Sequence, residues 1–471
     1  MSENFFIPDQ LTITGGAPCT GSVHVSGAKN SILPLMAASL LTDEKVTLRN
    51  VPYISDVMEM GHILKELGVK VQYSPQEKIL ILHAEKIKSN VVSHRAAKFR
   101  SSYYLWGALL ARFCHTGEFD SLKVCMPGGC SFGGKRPTDF HEQLIKNVFG
   151  AAIDVENDAK HAFLSFNLPP KSPKKLCPIY TTTKVSHGAT CHWLLSVAGS
   201  REVKMMYNSS LEPEISNLIS MLQQMGLGLT GSERTGLVYD GTNKRLLKGV
   251  DFNVVPDRLE AATYALLSLA TKGEIELDGI NYEHCLPWIS QLSRMFDKGI
   301  YFSPDLTKLN LDFRNRKKFG GVIMQMSPFP GNETDLQQIW TPVLAQADSP
   351  SIISDIIWPG RRAHLPEMEK FGLKAKAEVV EVISGQQTAM NNLYVNIKPS
   401  RLTAAQASGT DLRGTMGLIV LAASAAGTSK IDNPGYALRG YPNLIDNFNN
   451  LGIKVSASKK GEEIKGLPGI K

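Results

Sequence analysis

A phrase repeated six times along the chain constrains its fold more than any other feature. Each copy is an amphipathic helix pattern, a stop glycine and an alternating strand pattern. The clearest copy is DVMEMGHILKELGVKV, in which Val57, Met60, Ile63, Leu64 and Leu67 share one helical face, Gly68 ends the helix, and Val69 and Val71 alternate. The other copies end at Gly150, Gly226, Gly299, Gly372 and Gly452, so successive stops fall 73 to 82 residues apart. Ahead of each lies a second phrase, a nearly all-apolar helix followed by a short strand: SILPLMAASLL, SYYLWGALLARF, ATCHWLLSVAG, AATYALLSLATKG, IWTPVLAQA and LRGTMGLIVLAASAAG. The unit is therefore helix, strand, helix, strand. One such unit cannot bury its own apolar faces, so units must associate, and the length argues for two groups of three. The expected fold is α/β, with six repeated units, three per domain, and a cleft between the groups as the ligand site. A doubly wound open sheet is the alternative, but it requires no fixed period.

Composition agrees with a packed enzyme. The chain has 471 residues, 43% of them hydrophobic, which suffices for more than one core. Its net charge of +7 is spread without runs of like charge, which suits a small anionic substrate better than nucleic acid. Seven cysteines without a CxxC pair fit a reducing compartment and offer no zinc ribbon. The opening MSENFFIPDQ lacks a basic start followed by an apolar core, so the expected location is the cytoplasm. The most apolar stretch, Met416 to Ala426, falls short of the roughly 20 residues a membrane span needs and reads as a buried helix.

Two segments carry chemistry. SGAKN, Ser26 to Asn30, places Lys29 at the start of a buried helix, where a cation beside exposed backbone N–H groups makes an anion site. MPGGCSFGGKRPTDFH, Met126 to His141, is too rich in glycine and proline to be regular before Pro137, and it sets Cys130 near Lys135 and Arg136. Those cations favour the thiolate, as a cysteine acting as acid, base or nucleophile requires. Cys114, Cys177, Cys191 and Cys285 read instead as small apolar fillers. At comparable junctions of the other units stand Lys184, Glu212, Glu214, Asp257, Arg258, Asp335, Arg361, Arg413 and Arg439. Singly, each is an ordinary cap or surface charge; their recurrence at equivalent junctions singles them out.

These residues in this order resemble the UDP-N-acetylglucosamine enolpyruvyl transferases, nearly end to end. SGAKN with LPLMAASLLTDE, the PGGC loop with RPTDFH, KVSHGAT, LEPEI, VPDRLE, TDLQ, HLPEM and TDLRG all look like that family's motifs. The resemblance implies a two-domain inverted α/β barrel, with one domain at 24–253 and the other formed by 1–23 plus 254–471. It implies transfer of the enolpyruvyl group of phosphoenolpyruvate to UDP-N-acetylglucosamine in peptidoglycan precursor synthesis, with neither metal nor redox cofactor. By position, Cys130 becomes the loop cysteine that protonates or adds to phosphoenolpyruvate and that fosfomycin alkylates, and Asp335 the base. Lys29, Arg100, Arg136, Arg413 and Arg439 would hold phosphoenolpyruvate. Asn30 and Arg361 would help to order the acceptor, Lys184, Ser186 and Gly188 its phosphates, and Pro137, Thr138, Asp139 and Phe140 its uracil. The partners so implied are small molecules, with neither nucleic acid nor membrane. The chain departs from the family at an extra residue between Cys130 and Arg136, at PFPGNETD, at WPGR (Trp358 to Arg361) and at His187. The departures near the acceptor keep a different nucleotide such as UMP as an alternative, alongside a non-catalytic homologue.

Overall fold

The computed structural model describes residues 6–128, 138–157, 161–169, 176–383, 389–459 and 462–463. Among them the helices come in six pairs: α1 (Lys29–Ala38) with α2 (Ser55–Glu66), α3 (Tyr104–Thr116) with α4 (Asp139–Phe149), α5 (His187–Val197) with α6 (Pro213–Gln224), α7 (Arg258–Thr271) with α8 (Tyr282–Met295), α9 (Gln337–Leu344) with α10 (Leu365–Glu369), and α11 (Leu412–Ser424) with α12 (Leu444–Asn450). The first member of each pair is buried nearly all round, as its unbroken apolar run requires, and the second buries one face. All six stop glycines have positive φ, from 65° at Gly150 to 100° at Gly68. A side chain would be strained there, so glycine marks where each helix turns into a strand.

The expected two strands per unit become four in five of the sheets and five in the sixth. In each sheet a short edge strand runs parallel to the strand that follows the inner helix, and two antiparallel strands, or three in the five-stranded sheet, complete the ladder. In one sheet Val250–Asn253 lies parallel to Lys45–Arg49, which pairs antiparallel with Ile79–His83 and that in turn with Lys70–Ser74. The return strand Ile79–His83 reads as a continuous apolar run, yet only Leu80 and Leu82 are fully buried. A run buried on alternate sides is ambiguous in sequence, and pairing resolves it. One outer helix also falls short of its pattern, since α10 has only five residues.

Two compact units divide the described chain, one from residues 27–255 and one from 6–26 with 256–463. In the first, α1, α3 and α5 pack on one another; in the second, α7, α9 and α11 do the same. Each unit also takes an edge strand from a distant part of the sequence. Thr20–His24 lies parallel to Glu274–Asp278 in the second unit, whereas Val250–Asn253 completes the first. Gln10–Gly15 sits between Gly427–Asp432 and Lys454–Lys459. Full burial of one leucine or phenylalanine stabilises by about 1.5–3 kcal/mol, so these two helix trios dominate the cohesion of the fold. Among the described residues no helix is long and apolar enough to cross a membrane.

Candidate active site

In each unit several candidate residues lie at the N-terminal ends of the inner helices. Lys29 is the first residue of α1, Arg100 opens the short 3-10 turn before α3, and His187 is the first residue of α5. Arg258 begins α7, Asp335 lies in the 3-10 turn before α9, and Arg413 is the second residue of α11. Each position puts a side chain beside backbone N–H groups that the helix itself leaves unpaired.

In the first unit Lys29 is almost buried, and its Nζ meets the Asp56 carboxylate at 2.7 Å. Asp56 belongs to the first turn of the outer helix α2, and no sequence signal singles it out. Arg100 lies over the Tyr103 ring at 5.6 Å. Burial pulls its guanidinium below the usual value, and Tyr103, Asp139 and Tyr104 partly offset that. Tyr103 stacks on His141 with centroids 3.8 Å apart, and His141 Nδ1 lies 3.0 Å from Nδ1 of His192. Both imidazoles are fully buried and held neutral, His192 being lowered to about 3 by burial. One Nδ1 must therefore carry a proton and the other accept it.

Around this stack stand the residues expected at the acceptor. Thr138 donates from Oγ1 to Glu142 Oε1 at 2.6 Å, Asp139 starts α4, and the Phe140 carbonyl accepts from the Tyr180 hydroxyl at 2.7 Å. A Cβ on Gly188 would fall 2.1 Å from the Tyr103 hydroxyl, so only glycine leaves room for that ring. Ser186 caps α5 by accepting from the Ala189 N–H at 3.2 Å, and the Lys184 carbonyl accepts from Thr182 Oγ1 at 2.6 Å. Asn30 follows Lys29 on α1, partly exposed. His187 sits with Nε2 3.6 Å from Cys191 Sγ and Nδ1 3.8 Å from Glu212. Burial alone would lower this imidazole, but Cys191 and Glu212 raise it well above its ordinary value. Cys130, Arg136 and Pro137 lie outside the described residues.

In the second unit the candidates converge more closely. Asp335 takes Arg361 Nη2 on Oδ1 at 3.0 Å and Arg413 Nε on Oδ2 at 3.3 Å. Arg361 also donates to the Thr334 carbonyl, which anchors it within the turn that carries Asp335. Arg413 Nη1 donates to the Tyr441 hydroxyl at 2.7 Å, with its guanidinium 5.2 Å from the ring centroid. Burial would lower the Arg413 value, but Tyr441, Asp335 and Asp257 together drive it up, so the cation is permanent. Arg439 ends a 3-10 turn two residues before Tyr441 and is half-buried. In WPGR, the Trp358 carbonyl accepts from the Arg361 N–H at 3.0 Å, closing a turn whose entry is tied to Asp355.

Other junction charges have structural duties. Asp257 accepts from the Leu259 and Glu260 N–H groups at 2.9 and 3.0 Å and so caps α7. Asp411 does the same for α11, and its Oδ2 also accepts from Gln338 Nε2 at 2.9 Å. Arg258 forms a buried pair with Glu333, a partner not anticipated although it stands two residues before Asp335. Cys114 and Cys285 are held as thiols up to about 11 and about 12 by burial, whereas Cys177 is exposed rather than a core filler. Among the described residues no group of three His, Cys, Asp or Glu could hold a metal ion.

The architecture, with inner helices opening on clustered charges, is that of enolpyruvyl transferases. It superposes on the enolpyruvyl transferase NikO from Streptomyces tendae with a TM-score of 0.78 at 19% identity, covering 95% of this chain and 99% of that one. EPSP synthase from Acinetobacter baumannii shares the fold with a TM-score of 0.63 at 13% identity, covering 96% of this chain and all of that one. Residues 13–448 match the family model described as EPSP synthase (3-phosphoshikimate 1-carboxyvinyltransferase), and the chain belongs to this family. Within it, the sequence is 31% identical to UDP-N-acetylglucosamine 1-carboxyvinyltransferase of Thermotoga maritima, over 96% of this chain and 99% of that protein. The enzyme of the same name from Hyphomonas neptunium is also 31% identical, over 97% of this chain and all of that protein.

Proposed function

We infer that this chain transfers the enolpyruvyl group of phosphoenolpyruvate to the 3-hydroxyl of UDP-N-acetylglucosamine and releases phosphate, a step of peptidoglycan precursor synthesis in the cytoplasm. One observation carries the reading. In a chain 31% identical over nearly its full length to carboxyvinyltransferases of that name, a carboxylate expected to be the base is clamped between two arginines.

The chemistry needs those groups. The acceptor oxygen adds to C2 of phosphoenolpyruvate as C3 takes a proton, which gives a tetrahedral intermediate; removal of a C3 proton then expels phosphate and restores the double bond. Asp335 takes the hydroxyl proton, and Cys130 delivers the proton to C3. Lys29, Arg100, Arg136, Arg413 and Arg439 hold the phosphate and carboxylate, which orients the leaving group and stabilises its charge. Lys184, Ser186 and Gly188 serve the nucleotide phosphates, Pro137, Thr138, Asp139 and Phe140 the uracil, and Asn30 and Arg361 the ordering of the acceptor. In this reading residues 24–253 form one catalytic domain, and 1–23 with 254–471 the other.

Phosphate release from phosphoenolpyruvate, measured with UDP-N-acetylglucosamine, UMP or shikimate 3-phosphate as acceptor, tests this directly. Release with UDP-N-acetylglucosamine, lost on incubation with fosfomycin, is the expected result. Release with UMP alone would overturn the acceptor, and release with none would overturn the activity.

A further inference from the structure

The Arg413 guanidinium rests on a chain of hydroxyls whose direction can be worked out from proton counting. Thr263 Oγ1 lies 2.7 Å from the Leu259 carbonyl oxygen and 2.8 Å from the Tyr441 hydroxyl. A carbonyl can only accept, and a threonine hydroxyl has one proton. Thr263 gives that proton to Leu259, so toward Tyr441 it can only accept. The Tyr441 proton therefore points at Thr263, and its lone pairs face Arg413 Nη1 at 2.7 Å. The order is fixed from end to end: guanidinium to phenol, phenol to threonine, threonine to a backbone carbonyl of α7. All three side chains are buried, so water does not compete for these bonds. Burial also keeps Tyr441 above its ordinary value, with Arg413 opposing, so the phenol stays protonated and able to donate.

This relay leaves a defined part of Arg413 for a ligand. Nε is taken by Asp335 and one Nη1 proton by Tyr441, while Nη2 makes no hydrogen bond to a described residue. A guanidinium fixed at two corners offers its remaining edge in one orientation, as two-point recognition of a phosphate or carboxylate requires.

We propose that Tyr441, seated on Thr263, is a positioning residue that fixes Arg413 for the anionic substrate and sets the arginine's geometry against Asp335. The proposal rests on the transferase reading for the identity of that anion, phosphoenolpyruvate. Tyr441 does not touch the reacting atoms in this scheme; it acts through Arg413. Neither Tyr441 nor Thr263 stands out in sequence, since Thr263 lies in an apolar helix run and Tyr441 between a glycine and a proline.

Tyr441→Phe is the decisive variant because it keeps the ring beneath the guanidinium and deletes only the hydroxyl. Loss of a hydrogen bond to a charged group should raise the KM for phosphoenolpyruvate roughly ten- to hundredfold. The KM for the nucleotide acceptor should stay within about twofold, because Arg413 is not assigned to it. Thr263→Val should shift the same constant in the same direction by less, and Thr263→Ser should restore it. The double variant Tyr441→Phe with Thr263→Val should be no worse than Tyr441→Phe alone, since both cut one relay. An unchanged KM for phosphoenolpyruvate in Tyr441→Phe, or an equal rise for both substrates, would overturn the proposal. If Tyr441→Phe does not fold, the contrast between Val and Ser at position 263 decides the same point. Calorimetric titration of phosphoenolpyruvate into wild type and Tyr441→Phe separates this proposal from the transferase reading. A wild type that binds phosphoenolpyruvate without turnover overturns the activity, while equal affinity in the two proteins overturns the role of Tyr441. A wild type that does neither overturns both.

Discussion

The two units share an architecture but hold Arg100 and Arg413 in different settings. In the second, cations are locked into buried hydrogen-bonded networks: Arg361 and Arg413 on Asp335, Arg258 on Glu333. In the first, Lys29 pairs with Asp56 and Arg112 with Glu118 in the interior as well, but Arg100 lies over an aromatic face, and Arg95 and Lys98 meet Glu59 and Glu66 at a partly exposed surface. Burial drives the Arg100 guanidinium down, whereas the neighbours of Arg413 drive it up. The same scaffold therefore sets one candidate cation against a ring and another against a carboxylate and a phenol.

Asp335→Asn alters the carboxylate held by Arg361 and Arg413, where the largest effect is expected. The amide keeps the size of the side chain but cannot take a proton from an alcohol, so kcat in the phosphate-release assay should fall by about 10²–10⁴-fold. Circular dichroism should show a folded protein. Full activity in this variant would remove Asp335 as base and dissolve the contrast between the units.

Glu333→Ala tests whether the second unit is locked by its ion pairs. Arg258 would be left buried against the Phe329 ring without its carboxylate, and breaking such a pair costs about 3–5 kcal/mol. Urea unfolding should show the loss with little dependence on salt. A change below 1 kcal/mol, to order of magnitude, would mean that the pair is incidental.

Sequence reasoning reached the repeat because helix periodicity and stop glycines are local signals. It reached Asp335, Arg361 and Arg413 as members of one set because they sit at equivalent junctions. It did not reach Asp56 beside Lys29, Glu333 beside Arg258, or Tyr441 and Thr263 behind Arg413, since all four lie in ordinary sequence contexts. Thr263 stands 178 residues from Tyr441, and no spacing rule links residues that far apart. The third and fourth strands of each sheet escaped for a related reason: a strand such as Ile79–His83 is defined by the partners on either side of it.

Acid should separate the units by a smaller amount. A histidine whose folded value is depressed binds its proton less readily in the folded than in the unfolded chain. Its contribution is therefore complete above the ordinary 6.5 and lost as pH falls toward the folded value, about 3 for His192 and about 4 for His364. Between pH 7 and pH 5 that amounts to about 2 kcal/mol for each fully buried histidine. The first unit holds two of them in contact, His141 and His192, whereas His364 belongs to the second. Although His187, at the start of α5, is shifted the other way, amide protection factors should fall more between pH 7 and pH 5 in α5 than in α11. An equal fall would show that the imidazole pair is not what sets the first unit's acid response.

The smallest effect belongs to Arg95, and its sign and salt dependence complete the contrast. Arg95 bridges Glu59 at 3.1 Å and Glu66 at 2.8 Å, with a third of its side chain exposed. Screening and the entropy of holding a long side chain offset most of the Coulomb gain, so Arg95→Ala should cost no more than about 1 kcal/mol. Because the remaining attraction passes through solvent, the cost should shrink in 1 M salt, where the screening length is about 3 Å. The Glu333→Ala cost, arising in the protein interior, should not. If Arg95→Ala destabilised as much as Glu333→Ala and resisted salt, burial would not be what separates the two pairs.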